Sequence, residues 1–325
     1  MIKYHVFDNY YLSIHKDIEE TKYFIKIRNE YIFSSDYHED YYPLDKDFGP
    51  INIYFISKFC NFLNNILNND KLKNNNRDIV YYIYDTVDKI DLMNATLLSA
   101  CYMLIYLNIK PDEIIFKISH LLNLHPCYYH DCVSKFGGYY SSITDCIRAI
   151  YHSININIYY IYTFDYKDYE YCTDFKLRDM NIIANKFIAM CCPSNKNIEN
   201  VKNELLNRGV NTIIRLNGDT YDKKLFNDNN IKVKDLYFDD YTCPSIYIIK
   251  KFLNIVSKIK DDKLIAIHCR AGLGRTGVLI CIWLILKLNF KPREAIAYIR
   301  IIRPGSIMGS QGFFLESIEY LKEII

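Results

Sequence analysis

Between Ile265 and Leu286 the chain reads IAIHCRAGLGRTGVLICIWLIL. The first residues are apolar and partly β-branched, which suits a short buried strand, and Thr276 to Leu288 carries so few polar residues that it suits a buried helix. Gly272 and Gly274 permit a tight turn between the two. A buried strand fed into a buried helix through a short loop belongs to an α/β architecture. That loop has a chemical consequence. The backbone N–H groups just before a helix have no intrahelical partner, and the helix amino terminus carries roughly half a positive charge, so the turn is suited to cradle a dianion such as phosphate. The same field favours a thiolate at Cys269, which makes it a candidate nucleophile. Arg275, six positions on, offers a planar fork that matches two oxygens of such an anion.

The candidate cradle comprises Arg270, Ala271, Gly272, Leu273, Gly274, Arg275 and Thr276. The Thr276 hydroxyl is placed to hydrogen-bond the thiolate or help it leave, and His268 is expected to orient the loop rather than exchange protons with a ligand. A Walker-type nucleotide loop is excluded, because no Gly-Lys-Ser/Thr is present. A leaving alkoxide needs a proton donor on a loop at the carboxyl end of another strand. Asp239 and Asp240, in LYFDDYTCPS, follow a strand predicted at Ile231–Phe238 and precede a helix opened by Pro244-Ser245. Farther on, IRIIRPGSIMGSQGFFL supplies Arg303 and Gln311, the latter suited to position an attacking water.

The rest of the second half alternates in the same sense. Lys186–Met190, Val210–Leu216 and Leu264–Ile267 read as strands, Val201–Asn207 as a helix stopped by Gly209, and Ile249, Phe252, Leu253, Val256 and Ile259 trace one apolar helix face. In the first half, Tyr23–Ile27, Tyr41–Leu44 and Ile79–Tyr84 read as strands. Helices are expected after Gly49-Pro50, over Asp91–Leu107, from Pro111 and over Ser142–Tyr151. An Asn-rich tract at 68–76 reads as a solvated loop. Residues 161–180, IYTFDYKDYEYCTDFKLRDM, are rich in acid and tyrosine without clear periodicity and read as a connector. The chain has 325 residues, half of them hydrophobic, enough for two domains with substantial cores.

A formal net charge of +2 gives no global drive towards nucleic acid or an anionic membrane, so anion binding has to be local. The amino terminus lacks the apolar core of a signal peptide, and the apolar run Val278–Leu286 is far short of a membrane span. Eleven cysteines without a framework spacing suggest reduced thiols, hence a cytoplasmic or nuclear setting. The cluster HPCYYHDC, His125 to Cys132, matches no common zinc spacing, and no resident metal or cofactor is expected.

HCRAGLGRTG fits C-x5-R-T, the signature of cysteine-dependent phosphatases. Together with DFGPIN at 47–52, NATLLSACYMLIYL at 94–107, FDYKDYEYCTDF at 164–175, KFIAM at 186–190, DLYFDDYTCPS at 235–245 and IRIIRPGSIMGSQ at 299–311, it resembles the mitotic-exit dual-specificity phosphatases named for cell-division-cycle gene fourteen. The resemblance covers nearly the whole chain. It implies two tandem dual-specificity-phosphatase-like α/β domains, each a mostly parallel sheet flanked by helices, joined by a linker helix. Here these correspond to 1–155, an acidic linker at 156–180, and a catalytic domain at 181–325; the first half has no C-x5-R.

It further implies Cys269 as nucleophile, Arg275 as phosphate ligand and Asp240, the second of the pair, as general acid. An acidic groove built with the linker, to which Asp165, Asp168 and Glu170 belong, would favour phosphoserine-proline with a basic residue downstream. The expected partners are phosphorylated proteins; the oligomeric state is not legible. Three departures stand out: Tyr241 follows the acid where glycine is usual, Arg270 follows the cysteine where lysine is more frequent, and Gly312 replaces a second glutamine. A phosphoinositide phosphatase usually has a second basic residue where Leu273 sits, and a phosphopeptide-binding pseudophosphatase would not need the complete set of Cys269, Arg275 and Asp240.

Overall fold

The strand expected before Cys269 lies at the centre of a five-stranded sheet. In this computed structural model, which describes residues 2–15, 30–34, 49–74, 77–84, 90–124, 128–131 and 138–321, the strands are β7 (Met180–Ile183), β8 (Phe187–Met190), β9 (Thr212–Arg215), β10 (Lys232–Asp235) and β11 (Ile265–His268). Their order is β10-β9-β11-β8-β7. β8, β11, β9 and β10 run parallel, with His268 in register with Met190 on one side and Arg215 on the other. Every residue of β8, β9 and β11 is buried, as a strand covered on both faces requires. β7 is antiparallel, and its hairpin turn has Ala184 and Asn185 both at positive φ, 53° and 52°, with Lys186 N–H donating to Ile183 O at 3.1 Å.

Sequence reading runs the connector to residue 180 and so misses β7, whose four residues are too short to show a period. It also makes β10 too long. β10 is the edge strand, mostly exposed, and only Lys232–Asp235 pair with β9 before the chain turns towards the site.

The first half holds a four-stranded sheet of β1 (Ile2–Phe7), β2 (Tyr10–His15), β3 (Glu30–Ser34) and β4 (Asp78–Tyr84), in the order β1-β2-β4-β3. β2, β4 and β3 are parallel and β1 is antiparallel to β2. β1 and β2 were not expected from the sequence; the strands expected at Tyr23–Ile27 and Tyr41–Leu44 lie outside the described residues. Helices α1 (Ile53–Leu67), α2 (Ile90–Ile105) and α3 (Ile143–Asn155) cover this half. α3 begins with a reciprocal capping box between Ser142 and Asp145, which fixes its start. Tyr128–His130, within the HPCYYHDC cluster, forms β5 and pairs antiparallel with β6 (Tyr140–Ser142).

In the connector, Asp165 caps α4 (Tyr166–Thr173) by accepting from Asp168 N at 2.9 Å. The second half adds α5 (Ile198–Asn207), α6 (Ile246–Ser257), α7 (Gly274–Lys287), α8 (Pro292–Ile302) and α9 (Ser310–Ser317). α8 packs on α3, and one apolar cluster runs without a break from Leu63, Leu97 and Ile147 in the first half to Phe187, Ile282 and Ile299 in the second. A smaller cluster of Val201, Leu205, Ile213 and Ala266 fills the opposite face of the five-stranded sheet. Polar contacts reinforce the junction: Arg293 pairs with Asp145 at 2.9 Å and His152 Nε2 donates to Leu288 O at 2.8 Å. Among the described residues no helix is long and apolar enough to cross a membrane.

Candidate active site

The site lies at the carboxyl ends of β9 and β11, where ligands of open α/β sheets are usually bound. Cys269 follows β11 directly and is 2% exposed. Its carbonyl accepts from His268 Nδ1 at 3.0 Å, and since a carbonyl can only accept, Nδ1 carries the proton and His268 Nε2 takes the Tyr221 hydroxyl at 2.8 Å. Burial pushes His268 down to about 4, so the ring is neutral near pH 7 and holds the loop without adding charge.

The remaining loop carbonyls are also bound from outside. Arg270 O accepts from Cys192 N at 2.9 Å, Ala271 O from an Arg303 guanidinium nitrogen at 3.0 Å and Gly272 O from Arg303 Nε at 2.8 Å. Arg303, 3% exposed, is itself held by Asp179 Oδ1 at 2.9 Å and Asn181 Oδ1 at 2.7 Å. Gly272 has φ +69°, and a Cβ there would lie 1.9 Å from Met190 O, so the loop rests directly on the end of β8. α7 then starts at Gly274 without a side-chain cap, which leaves its first N–H groups to the cradle. The Thr276 hydroxyl is buried without a hydrogen-bond partner.

Arg275, 4% exposed, donates from one guanidinium nitrogen to Phe238 O at 2.9 Å and Leu216 O at 3.2 Å, which ties it to the ends of two strands. Its Nε lies 3.1 Å from Asp240 Oδ1. This contact is an ion pair and not a hydrogen bond, because the Nε–H makes none. Of the two sequence candidates, Asp240 is thus the one drawn to Arg275, while Asp239 accepts the Tyr237 hydroxyl at 2.7 Å. Tyr241 adopts φ 58°, a left-handed conformation that a glycine would take more readily; its N–H reaches Asp240 Oδ1 at 3.1 Å.

Gln311 is fully buried beside the loop. Its Oε1 accepts from Met308 N at 3.1 Å, its Nε2 donates to Thr242 O of the acid loop at 3.3 Å, and a Cβ on Gly274 would lie 3.0 Å from Oε1. Arg275 thus meets Asp240, Gln311 bridges the Gly274 turn and the acid loop, and Cys269 opens the same loop that Arg275 ends. Arg270 and Ala271 are exposed, whereas Leu273 is buried.

The linker carboxylates are placed differently. Asp165 is occupied as the α4 cap, Asp168 pairs with Arg208, and Glu170 accepts the Tyr54 hydroxyl. Instead, Tyr169, Thr173, Phe175 and Asp179 share an open cleft with Ala271 and Leu273. Sequence reading could not anticipate this, because the partners Arg208 and Tyr54 come from distant segments. Nor did it identify Tyr221 or the first-half residues Asp131 and Tyr139, which touch the site's supports and carry no motif. Among the described residues no three His, Cys, Asp or Glu side chains gather as a metal group.

Two family profiles match the chain: "Dual specificity protein phosphatase, N-terminal half" over residues 7–153 and "Dual specificity phosphatase, catalytic domain" over residues 183–323. The chain is 32% identical to the "Tyrosine-protein phosphatase CDC14 homolog" of Schizosaccharomyces pombe, over 94% of this chain and 58% of that protein. It is 32% identical to mouse "Dual specificity protein phosphatase CDC14B", over 88% and 60%, and 33% identical to human "Dual specificity protein phosphatase CDC14A", over 92% and 52%. The chain thus spans between half and two thirds of the length of these relatives.

Proposed function

Because the chain belongs to the CDC14-type dual-specificity phosphatases, we propose that it hydrolyses phosphoserine, phosphothreonine and phosphotyrosine in proteins through a cysteinyl-phosphate. The observation that carries this reading is the meeting of Cys269, Arg275 and Asp240 around one loop, with Asp240 3.1 Å from the Arg275 guanidinium. In the first step the Cys269 thiolate attacks phosphorus, the S–P bond forms, the P–O bond to the leaving group breaks, and Asp240 supplies the proton that the alkoxide takes. In the second, water attacks the phosphoenzyme, its proton passes to the Asp240 carboxylate, the S–P bond breaks and the thiolate returns. Arg275 and the loop N–H groups stabilise the charge on the transferring oxygens. Gln311 positions the water, and Thr276 steadies the departing thiolate.

The substrate preference we propose is phosphoserine followed by proline, with a basic residue downstream, the kind of site made by proline-directed cyclin-dependent kinases. The relatives' CDC14 names support the cell-cycle context of this reading. Since Asp168 and Glu170 have internal partners, any acidic selectivity is modest, each exposed pair contributing roughly 0.2–1 kcal/mol.

The test is a turnover panel of phosphoserine, phosphothreonine and phosphotyrosine peptides, including Ser-Pro-x-Lys and Ser-Pro-x-Glu forms, beside soluble inositol phosphates, for the unmodified protein and Cys269→Ser. Phosphopeptide hydrolysis that Cys269→Ser abolishes, faster on the lysine form, is expected. Near-normal activity in Cys269→Ser removes the covalent mechanism, preferential inositol phosphate hydrolysis removes the protein substrate, and equal rates on the two peptides remove the basic-residue preference.

A further inference from the structure

Asp131 belongs to the half of the chain that lacks the cysteine loop, yet its buried carboxylate also reaches into the other half. It is 4% exposed, and its Oδ2 accepts from Gly309 N at 2.7 Å and from Tyr139 N at 3.1 Å. Gly309 immediately precedes α9 in a positive-φ conformation (φ 56°, ψ −127°) that glycine adopts freely, and the helix start has no side-chain cap of its own, so the Asp131 bond is the side-chain contact that anchors this turn. The neighbouring residue Met308 is the one whose N–H binds Gln311 Oε1. Tyr139 completes the clamp. Its ring lies over Gly312, where a Cβ would fall 2.1 Å from Tyr139 Cγ, and its hydroxyl donates to Glu316 Oε1 at 2.7 Å. Arg300 joins the same segments by donating to Tyr139 O and Ser141 Oγ on one side and to Ser306 O and Ile307 O on the other.

We propose that Asp131 is a positioning residue for the second chemical step: by holding Gly309 it fixes the turn that sets the Gln311 amide over the cysteine loop. The inference rests on the phosphatase reading above and deepens it. Formation of the phosphoenzyme needs Cys269, Arg275 and Asp240, none of which Asp131 touches. Its hydrolysis also needs Gln311, which lies two positions after the Gly309 that Asp131 holds. Both of these bonds of Asp131 go to one oxygen, so an acceptor at that position is what the turn at Gly309 requires.

The experiment is rapid-quench kinetics with p-nitrophenyl phosphate on the full chain, which measures formation and decay of the phosphoenzyme separately. Asp131→Ala should slow decay by about tenfold or more, in line with the sensitivity of catalysis to ångström-scale misplacement, and leave formation within about twofold. Asp131→Asn, which keeps an oxygen for Gly309 N–H, should restore decay to near the unmodified rate and controls for a folding defect in the alanine variant. In a Gln311→Ala background, adding Asp131→Ala should slow decay no further. Equal slowing of both steps, an asparagine variant as slow as the alanine variant, or full additivity with Gln311→Ala would each overturn this inference alone. Absence of any Cys269-dependent turnover in the unmodified protein would overturn the phosphatase reading and this inference with it.

Discussion

The two loop glycines should respond oppositely to the same added methyl group. At Gly272 the backbone sits at φ +69°, a conformation that costs an L residue about 1–2 kcal/mol. The new Cβ would also lie 1.9 Å from Met190 O and 2.4 Å from Met190 C. Neither atom belongs to a flexible side chain. Met190 ends β8, which is paired with β11 on one side and β7 on the other, so the strand cannot give and the loop has to lift. A lift of about 1 Å is the displacement that costs roughly 10²-fold in rate.

At Gly274 no left-handed backbone is involved, and the methyl would meet Gln311 Oε1 and Met308 Cε at 3.0 Å, both ends of side chains that can shift by a few tenths of an ångström. Alanine also favours the helix start by up to about 1 kcal/mol over glycine. Gly272→Ala is therefore expected to lose about 10²-fold or more in phosphoenzyme formation and roughly 1–3 kcal/mol in stability. Gly274→Ala should fold at least as stably as the unmodified protein, keep formation, and slow only the hydrolysis step that depends on Gln311. Rapid-quench rates and urea melts of both variants measure these quantities. A Gly272→Ala protein with near-normal formation and stability would refute the contact between loop and strand on which the reasoning rests.

Two further outcomes are expected. The unfolded chain protonates His268 near pH 6.5 while the native ring does so only near pH 4, so the unfolded state binds more protons in that window; stability is complete above it and falls as pH falls through it. The loss is about 2 kcal/mol between pH 7 and pH 5 and about 3 kcal/mol in all. Urea melts across this range should show a steeper loss for the unmodified protein than for His268→Asn, which keeps a donor for Cys269 O, and parallel curves would contradict the assignment. Asp240→Asn should slow phosphoserine peptide hydrolysis by about 10²–10⁴-fold but aryl phosphate hydrolysis far less, because an activated leaving group departs without a proton; that pattern in Asp239→Asn instead would move the acid by one residue.

What the sequence made legible was whatever is local. The cysteine loop is contiguous, flanked by an apolar strand and an apolar helix, and its glycines announce the turn. Asp240 was legible as a candidate because a short charged loop follows a strand; in the sequence only the resemblance separates it from Asp239, and in the structure it is the one of the two beside Arg275. The connector's carboxylates illustrate the opposite case. Asp165, Asp168 and Glu170 look like a free acidic cluster in one dimension, yet one is needed to start α4 and the others are met by Arg208 and Tyr54. β7 escaped because four residues carry no usable period, and β10 was overextended because an apolar pattern does not say where an edge strand loses its partner. Asp131 and Tyr139 could not be found at all, since their importance lies in contacts across 178 and 177 positions with Gly309 and Glu316.

The anion cradle itself follows from where its carbonyls are held. A trans peptide unit is planar, with its N–H antiparallel to its C=O, so a donor that captures the oxygen on one side turns the hydrogen to the other. In four successive units the oxygen is captured: Cys269 by His268, Arg270 by Cys192 N, and Ala271 and Gly272 by Arg303. The N–H groups of Arg270, Ala271, Gly272 and Leu273 are thereby turned away from these donors. An anion entering the cradle does not have to reorganise them, which is the condition under which fixed dipoles are most effective in catalysis. Arg303 has a double part in this. Its positive charge is balanced by Asp179 behind the loop, so it orders two peptide units without standing as a rival ligand inside the cradle, and Arg275 remains the guanidinium available to the anion. The two arginines, which lie 28 positions apart in the sequence, are therefore not interchangeable: one shapes the cradle from outside and the other closes it.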